Sequence, residues 1–182
     1  MIGEIGLHQA QSYGGTKVAV ECAKNMGYSL SITGHSLGAY LAELSVYYCH
    51  MDLNFRNVKG VTFDGPGTLD MMQQLSKNVV EGGDSQSQHQ FDPRELDIVR
   101  YTAGPNIVNC ANKHVGRSYR LFPKVDHVRV QSSFFGKNIL EKINALTYTL
   151  SHDLRYLLPD FDVKTGIPRN YERIIRWPSI SH

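Results

Sequence analysis

A serine stands between two glycines in the pentapeptide Gly34-His35-Ser36-Leu37-Gly38. The pattern G-x-S-x-G arises often by chance, so its surroundings decide its meaning. Where a strand turns sharply into a helix, the serine takes strained backbone angles and its neighbours must lack side chains, as Gly34 and Gly38 do. The hydroxyl then lies at a helix N-terminus, where free N–H groups and the helix dipole favour negative charge. The motif predicts Ser36 as a nucleophile and the Leu37 N–H as an oxyanion-hole donor.

The segments on either side of the motif fit a strand-to-helix turn. Residues 28–33 alternate between apolar and polar and end in β-branched side chains, which predicts a strand. Residues 37–50 carry apolar side chains at helical spacing, which predicts an amphipathic helix. The alternative is a glycine-rich turn in which Ser36 only caps the helix. A strand before the motif and a helix after it favour the nucleophile.

A nucleophilic serine needs a general base, and the chain has eight histidines. In folds with this turn the order along the chain is serine, acid, histidine, so the base should come late. His152 fits because it follows the last predicted strand and lies on a loop between two helices. His127 is the second candidate and His114 the third. The His35 ring, inside the turn, should point away from the hydroxyl, and the remaining histidines are expected at the surface: His8, His50, His89 and His182.

The acid that orients the histidine should end a strand. Asp64 directly follows the predicted strand 58–63, although an Asp here can also cap a turn. Asp97 opens its strand instead of ending it, and Asp126 lies beyond the fourth strand. Asn106, at the end of the third strand, is a candidate second support for the histidine, but an amide stabilises imidazolium poorly. We expect Asp64 to be the acid.

The remaining pattern predicts an α/β protein with a mostly parallel sheet and flanking helices, because strands and helices alternate along the chain. Residues 78–94 are polar and rich in Gly, Ser and Gln, which is typical of a surface loop. We expect a single domain over residues 1–182. Further strands are predicted at 96–102 and 117–122, and further helices at 15–26, 68–77 and 136–150.

The composition excludes several classes of function. Hydrophobic residues make up 41% of the 182 residues and charged residues 20%, which describes an ordinary globular chain. The net charge of +2 comes without a basic run, which argues against nucleic-acid binding. The histidines and cysteines lack metal-ligand spacing. No apolar stretch reaches about 18 residues, so a lipid substrate would be met from water, by peripheral contact with a lipid surface.

Cysteine usage bears weakly on the compartment. Three cysteines offer no disulfide framework, which favours a reducing environment. Cys22 and Cys49 fall within predicted helices and are expected to be buried thiols. The first residues also lack the basic and then apolar run of a signal peptide. Together these features favour the cytoplasm.

Around the motif, the run Ile32-Thr33-Gly34-His35-Ser36-Leu37-Gly38-Ala39-Tyr40-Leu41-Ala42 resembles lipases, above all the class 3 (fungal-type) lipase-like proteins. The resemblance continues through Val61-Thr62-Phe63-Asp64-Gly65-Pro66-Gly67, which is similar to the family's strand ending in a Gly/Ser-Pro turn. It reaches Ser151-His152-Asp153 and so spans about residues 15–160. It implies an α/β-hydrolase fold, a Ser-Asp-His triad, and carboxylic ester hydrolysis without a cofactor.

The chain departs from the class 3 pattern at two places. The class 3 acid ends the strand that here ends in Gly104-Pro105-Asn106, so the carboxylate is missing there. In pancreatic-type lipases the acid ends the preceding strand, where this chain has Asp64. Only residues 1–14 precede the first predicted helix, so the family's early strands and the loop with the second oxyanion donor have no counterpart. The expectation is a fragment, one domain of a longer protein, or a degenerate member.

Two functions follow from this sequence. The first is a serine esterase or lipase acting on acyl esters of the lipid type. The second is a catalytically weak or inactive lipase-like module that binds lipid or a protein partner. Apolar residues ahead of the loop 78–94 form either part of a lid over an acyl pocket or the packed face of a short helix: Leu69, Met71, Met72 and Leu75.

Overall fold

A computed structural model describes residues 2–81, 91–103, 108–121 and 154–174. The described residues form one five-stranded sheet with strand order β1-β2-β3-β4-β5. Strands β1 to β4 run parallel, and β5 pairs antiparallel with β4. In chain order the elements are α1 (Ile2–Met26), β1 (Leu30–His35), α2 (Leu37–Met51), β2 (Val58–Phe63), α3 (Leu69–Glu81), β3 (Ile98–Thr102), β4 (Arg117–Leu121), α4 (Leu154–Leu157) and β5 (Tyr171–Ile174). The expected α/β architecture, a mostly parallel sheet with flanking helices, is confirmed.

The helix that follows the serine turn lies at the centre of the core. Helix α2 packs against β1 and β2 on one side and against α1 on the other. Its residues from Ala39 to Cys49 are buried with the single exception of the half-buried Leu41. The helix is therefore enclosed around most of its circumference, where the sequence predicted an amphipathic helix with one solvated face.

Strand β1 lies two residues later than predicted, and α3 extends to Glu81, into the segment predicted as a loop. Two elements differ further from the sequence prediction. Helix α1 begins at Ile2 and continues through Gly14 and Gly15, whereas the predicted helix began at residue 15. Strand β5 was not predicted, so His152 precedes the last strand of the described sheet instead of following it. The predicted helix 136–150 lies outside the described residues.

The cysteines split between core and surface. Cys49 is buried in α2, as expected, and burial raises the pKa of its thiol to about 11. Cys22 is exposed on α1, so the expectation of a buried thiol there is wrong. The narrow face that α1 turns to α2 buries Thr16, Val20 and Ala23 instead. Within the described part of the chain, no helix is both long and apolar enough to cross a bilayer.

Candidate active site

Ser36 occupies the turn between β1 and α2 in a strained conformation. Its φ of 57° and ψ of −124° are rarely taken by a residue with a side chain. Such a conformation costs on the order of 1–3 kcal/mol and persists only where the surroundings impose it. Here the Ser36 N–H donates to the Phe63 carbonyl at 3.0 Å, which ties the turn to the end of β2.

Gly34 shows why the turn requires glycine. A Cβ at Gly34 would overlap the carbonyl of Gly38, so no side chain fits there. A Cβ at Gly38 would meet no atom within 4 Å apart from its own helical turn. The two glycines therefore differ: Gly34 must lack a side chain, and Gly38 contributes the backbone that approaches it.

The Ser36 side chain does not act as a helix cap. Ser36 occupies the N-cap position of α2, but its side chain makes no capping hydrogen bond. Leu37 is the first residue of α2, so its N–H has no helical carbonyl to bind. A hydroxyl beside an N–H at a helix start can attack a carbonyl and place the resulting oxyanion against that N–H.

Asp64 lies in the turn next to the serine. It follows β2 with a φ of 48° and is fully buried. Both of its chain neighbours touch the serine turn, because Phe63 accepts the Ser36 N–H and a Cβ on Gly65 would lie 3.1 Å from the Ser36 carbonyl oxygen. The Asp64 Oδ1 atom accepts hydrogen bonds from the Ala103 N–H at 3.1 Å and from Asn109 Nδ2 at 2.8 Å. The structure therefore brings Ser36 and Asp64 to the same edge of the sheet.

A set of buried charged groups behind this edge was missed by the sequence reading. Arg100 on β3 and Glu43 on α2 are both fully buried. The Arg100 guanidinium donates to the Gly65 carbonyl and to His114 Nδ1. Burial lowers the pKa of Arg100, and the charges of Glu43 and Asp64 oppose that shift. The guanidinium is thus a buried cation that interacts electrostatically with the carboxylates of Glu43 and Asp64. Its hydrogen bond to Gly65 also holds the turn after Asp64.

Glu43 is stabilised in the core by hydroxyl donors. Thr62 Oγ1 donates to one carboxylate oxygen at 2.9 Å, and Thr68 Oγ1 donates to the other at 2.6 Å. Burial nonetheless raises the pKa of Glu43, against the opposing effects of Arg100 and the two threonines. Sequence does carry a signal for this pair, because a lone charged residue interrupts an apolar helix at Glu43 and an apolar strand at Arg100.

His114, the third candidate base, has both ring nitrogens bonded to other groups. Its Nδ1 accepts from Arg100, so Nε2 carries the ring proton and donates to the Asn109 carbonyl at 2.8 Å. Burial, together with the Arg100 charge, lowers the pKa of His114 to about 3. A ring with both nitrogens bonded and so little affinity for a proton cannot act as the general base.

The acid candidate Asp97 and the histidine His50 both lie away from the serine. Asp97 precedes β3, at the opposite edge of the sheet, where its carboxylate pairs with Arg117 at 2.6 Å on the surface. His50 is half-buried at the end of α2, although it was expected at the surface, and burial and Arg56 lower its pKa. His8 is exposed, as expected. Outside the described residues lie His152, Asn106, His127, Asp126, His89 and His182.

The apolar residues considered for a lid pack into the core. Met72 on α3 is fully buried, and its three apolar companions on the helix are partly buried against the same core cluster: Leu69, Met71 and Leu75. Thr68, just before the helix, also bonds Glu43. This packing favours the alternative in which residues 69–75 form the buried face of a helix.

The serine turn of the candidate site lies within the part of the chain that matches a known family. The model of the class 3 lipase family matches residues 10–93, a stretch that contains the serine turn, β2 and Asp64. The uncharacterized protein RP165 of Rickettsia prowazekii (strain Madrid E) is 33% identical over 107 residues. That match covers 58% of this chain and 28% of the relative, so the chain spans less than a third of that protein's length. No solved structure matches the chain.

Proposed function

We propose that this chain is a class 3 lipase-like member of the α/β-hydrolase superfamily, and that it is a serine hydrolase that cleaves carboxylic esters, with lipid-type acyl esters as substrates. The match of residues 10–93 to the class 3 lipase family supports this proposal. One observation carries the proposal. Ser36 is held at a strained φ of 57° between a strand and a helix, with no capping bond from its side chain. A helix cap gives no reason for that strain, whereas a nucleophile that must project from the turn does.

The proposed reaction has two halves. Ser36 Oγ attacks the acyl carbonyl while His152 takes the hydroxyl proton, and the Leu37 N–H stabilises the oxyanion. His152 then protonates the departing alcohol, which leaves an acyl ester on Ser36. In the second half His152 deprotonates a water molecule and the resulting hydroxide attacks the acyl group. His152 then returns the proton to Ser36 Oγ as the bond to the acyl group breaks and the carboxylic acid leaves. Asp64 orients the imidazole and stabilises its charged form.

The pairing of His152 with Asp64 is supported by the segment that follows the histidine. Leu154 and Leu157 of α4 pack in one apolar cluster with Ala103 at the end of β3. The Ala103 N–H in turn bonds the Asp64 carboxylate. His152 is two residues before Leu154, and two residues of extended chain span only about 7 Å. The described residues that follow His152 thus pack in one cluster with the residue whose N–H bonds Asp64, and this supports the pairing.

The test is labelling of the purified full chain with a fluorophosphonate, which reacts with activated serines. We expect labelling of the natural sequence and none of Ser36→Ala, while Ser31→Ala, at an exposed position on β1, labels normally. His152→Ala and Asp64→Asn should each slow labelling by about 100- to 10,000-fold, because the first removes the general base and the second removes the carboxylate that supports it. Turnover of p-nitrophenyl esters of short and long acyl chains then sizes the acyl pocket.

A second function, a weak or inactive module that binds lipid or a protein partner, is favoured by one observation. Among the described strands, β1 lies at the edge of the sheet, and none of these strands lies beyond it to carry a loop with a second oxyanion donor. Losing one such donor costs about 100- to 1000-fold in rate. A folded chain that fails to label yet binds acyl-lipid vesicles would favour this module over the hydrolase.

A further inference from the structure

Asn109 lies beside the Asp64 carboxylate and has no role in the proposed reaction. It is fully buried in the connection between β3 and β4, and its Nδ2 donates to Asp64 Oδ1 at 2.8 Å. The Ala103 N–H donates to the same oxygen at 3.1 Å. Two donors from different segments of the chain on one oxygen restrict the rotation of a carboxylate.

We propose that Asn109 is a positioning residue, which holds the Asp64 carboxylate in the orientation that the histidine needs. The inference rests on the proposed function, because it assigns Asn109 a part in that same site. Rotation about the χ2 angle of an aspartate is only weakly restricted, so Asp64 does not fix the plane of its own carboxylate. The donors around it must do so.

Asn109 can serve this purpose because its own backbone is held. Its carbonyl accepts the His114 Nε2–H at 2.8 Å. His114 is bonded to Arg100, and Arg100 also donates to the carbonyl of Gly65, the residue after Asp64. The contacts therefore close into a ring that runs from Asp64 through Gly65, Arg100, His114 and Asn109 back to Asp64. Every side chain in that ring is at least partly buried.

The connection that carries Asn109 is also joined to the segment after Asp64. The Gly67 N–H donates to the Ala111 carbonyl at 2.7 Å, and the Leu69 N–H donates to the Lys113 carbonyl at 3.0 Å. A Cβ at Gly67 would overlap the Lys113 carbonyl, so the two segments are in close backbone contact. The backbone segments that carry Asn109 and Asp64 are thus held close together.

The test uses Asn109→Asp, which keeps the shape of the side chain and replaces its amide with a carboxyl. At low pH the two neighbouring carboxyls share a proton, so the introduced group still donates to Asp64. At higher pH both ionise and repel each other, and the orientation of Asp64 is lost. Fluorophosphonate labelling rates are measured from pH 6 to pH 9, each divided by the rate of the natural sequence at the same pH.

For Asn109→Asp we expect that ratio to fall with rising pH. Asn109→Ala should label about 10- to 100-fold slower at every pH, the usual loss when a hydrogen-bond partner of a site residue is removed. The matched control is Asn112→Asp. Asn112 lies in the same connection, but its Nδ2 faces the Gly67 carbonyl at 3.4 Å. Its ratio should stay flat with pH. A purely structural asparagine would give a ratio without this pH dependence once rates are expressed per folded molecule, from circular dichroism at each pH.

The outcomes separate the two proposals. Normal labelling of both Asn109 variants at every pH, with labelling still dependent on Ser36, overturns the positioning role and leaves the hydrolase intact. Failure of the natural sequence and of Asn112→Asp to label at all overturns the hydrolase, and the positioning role with it. If Asn109→Asp does not fold above neutral pH, Asn109→Ser provides the comparison. Its hydroxyl is too short to replace the amide donor, so its labelling should match that of Asn109→Ala.

Discussion

At the scale of single residues, His114 makes stability depend on pH. Its pKa is lowered from 6.5 to about 3 in the folded chain. Between these values the unfolded chain takes up a proton that the folded chain does not. The contribution of His114 is therefore complete above pH 6.5, and it is lost at about 1.4 kcal/mol per pH unit as the pH falls below that.

His114→Gln should remove this dependence, because glutamine offers one acceptor and one donor and does not titrate. We expect the natural sequence to exceed the variant in stability at pH 7.5 and to lose that advantage as the pH is lowered to 5. Urea unfolding at each pH measures the difference. His8→Gln is the control, since His8 is exposed. Parallel pH curves for the natural sequence and His114→Gln would contradict a buried neutral imidazole.

The residues differ in how far the sequence alone could place them. The strained conformation of Ser36 was predictable because everything that imposes it is local, namely a strand, two glycines and a helix in one short run. Asn109 and His114 were not, because their partners Asp64 and Arg100 meet them only after β2, β3 and the β3–β4 connection assemble. Nothing in the spacing of these residues along the chain encodes those contacts.

At the scale of elements, the β1–α2 turn depends on one glycine more than on the other. Gly34→Ala forces a methyl group into the Gly38 carbonyl and should cost about 3 kcal/mol, the upper range for overpacking. Gly38→Ala places its methyl in open space at the start of a helix, where alanine is better than glycine. Its stability should equal or slightly exceed that of the natural sequence. Chemical denaturation of both variants tests this, and equal losses would contradict the geometry of the turn.

Helix α2 and strand β2 were predicted well because their signals are local, whereas β1 lies two residues later than predicted. β2 has the predicted bounds, and α2 begins and ends within a residue of its prediction. The start of α1 was missed because Gly14 and Gly15 read as a helix break, although both lie inside the helix. β5 was missed because Tyr171–Ile174 is short, charged and mostly exposed, so only its pairing with β4 makes it a strand.

At the scale of the whole molecule, the sheet has two unequal faces. One face packs against α2, and every second residue of β2 and β3 is buried on that face. The other face carries Lys59, Val61, Val99 and Arg117, which line a cavity of about 310 Å³. Parallel strands are normally covered on both faces. Neighbouring residues of one strand point to opposite faces of the sheet. Truncating two such apolar residues should therefore reduce the free energy of unfolding by different amounts.

Ile98 and Val99 provide that comparison on β3. Ile98 is fully buried and fills the space left by two glycines, with a Cβ on Gly60 reaching 3.3 Å from its Cγ1 and a Cβ on Gly116 even closer to the residue. Ile98 lies in the main apolar cluster of the core, so Ile98→Ala should leave a cavity and cost about 4 kcal/mol, within the range for buried aliphatic side chains. Val99 is half-buried and already borders open space, so Val99→Ala should cost less than half as much. Guanidinium unfolding of the two variants measures the difference. A loss at Val99 as large as that at Ile98 would mean that the second face is as tightly packed as the first.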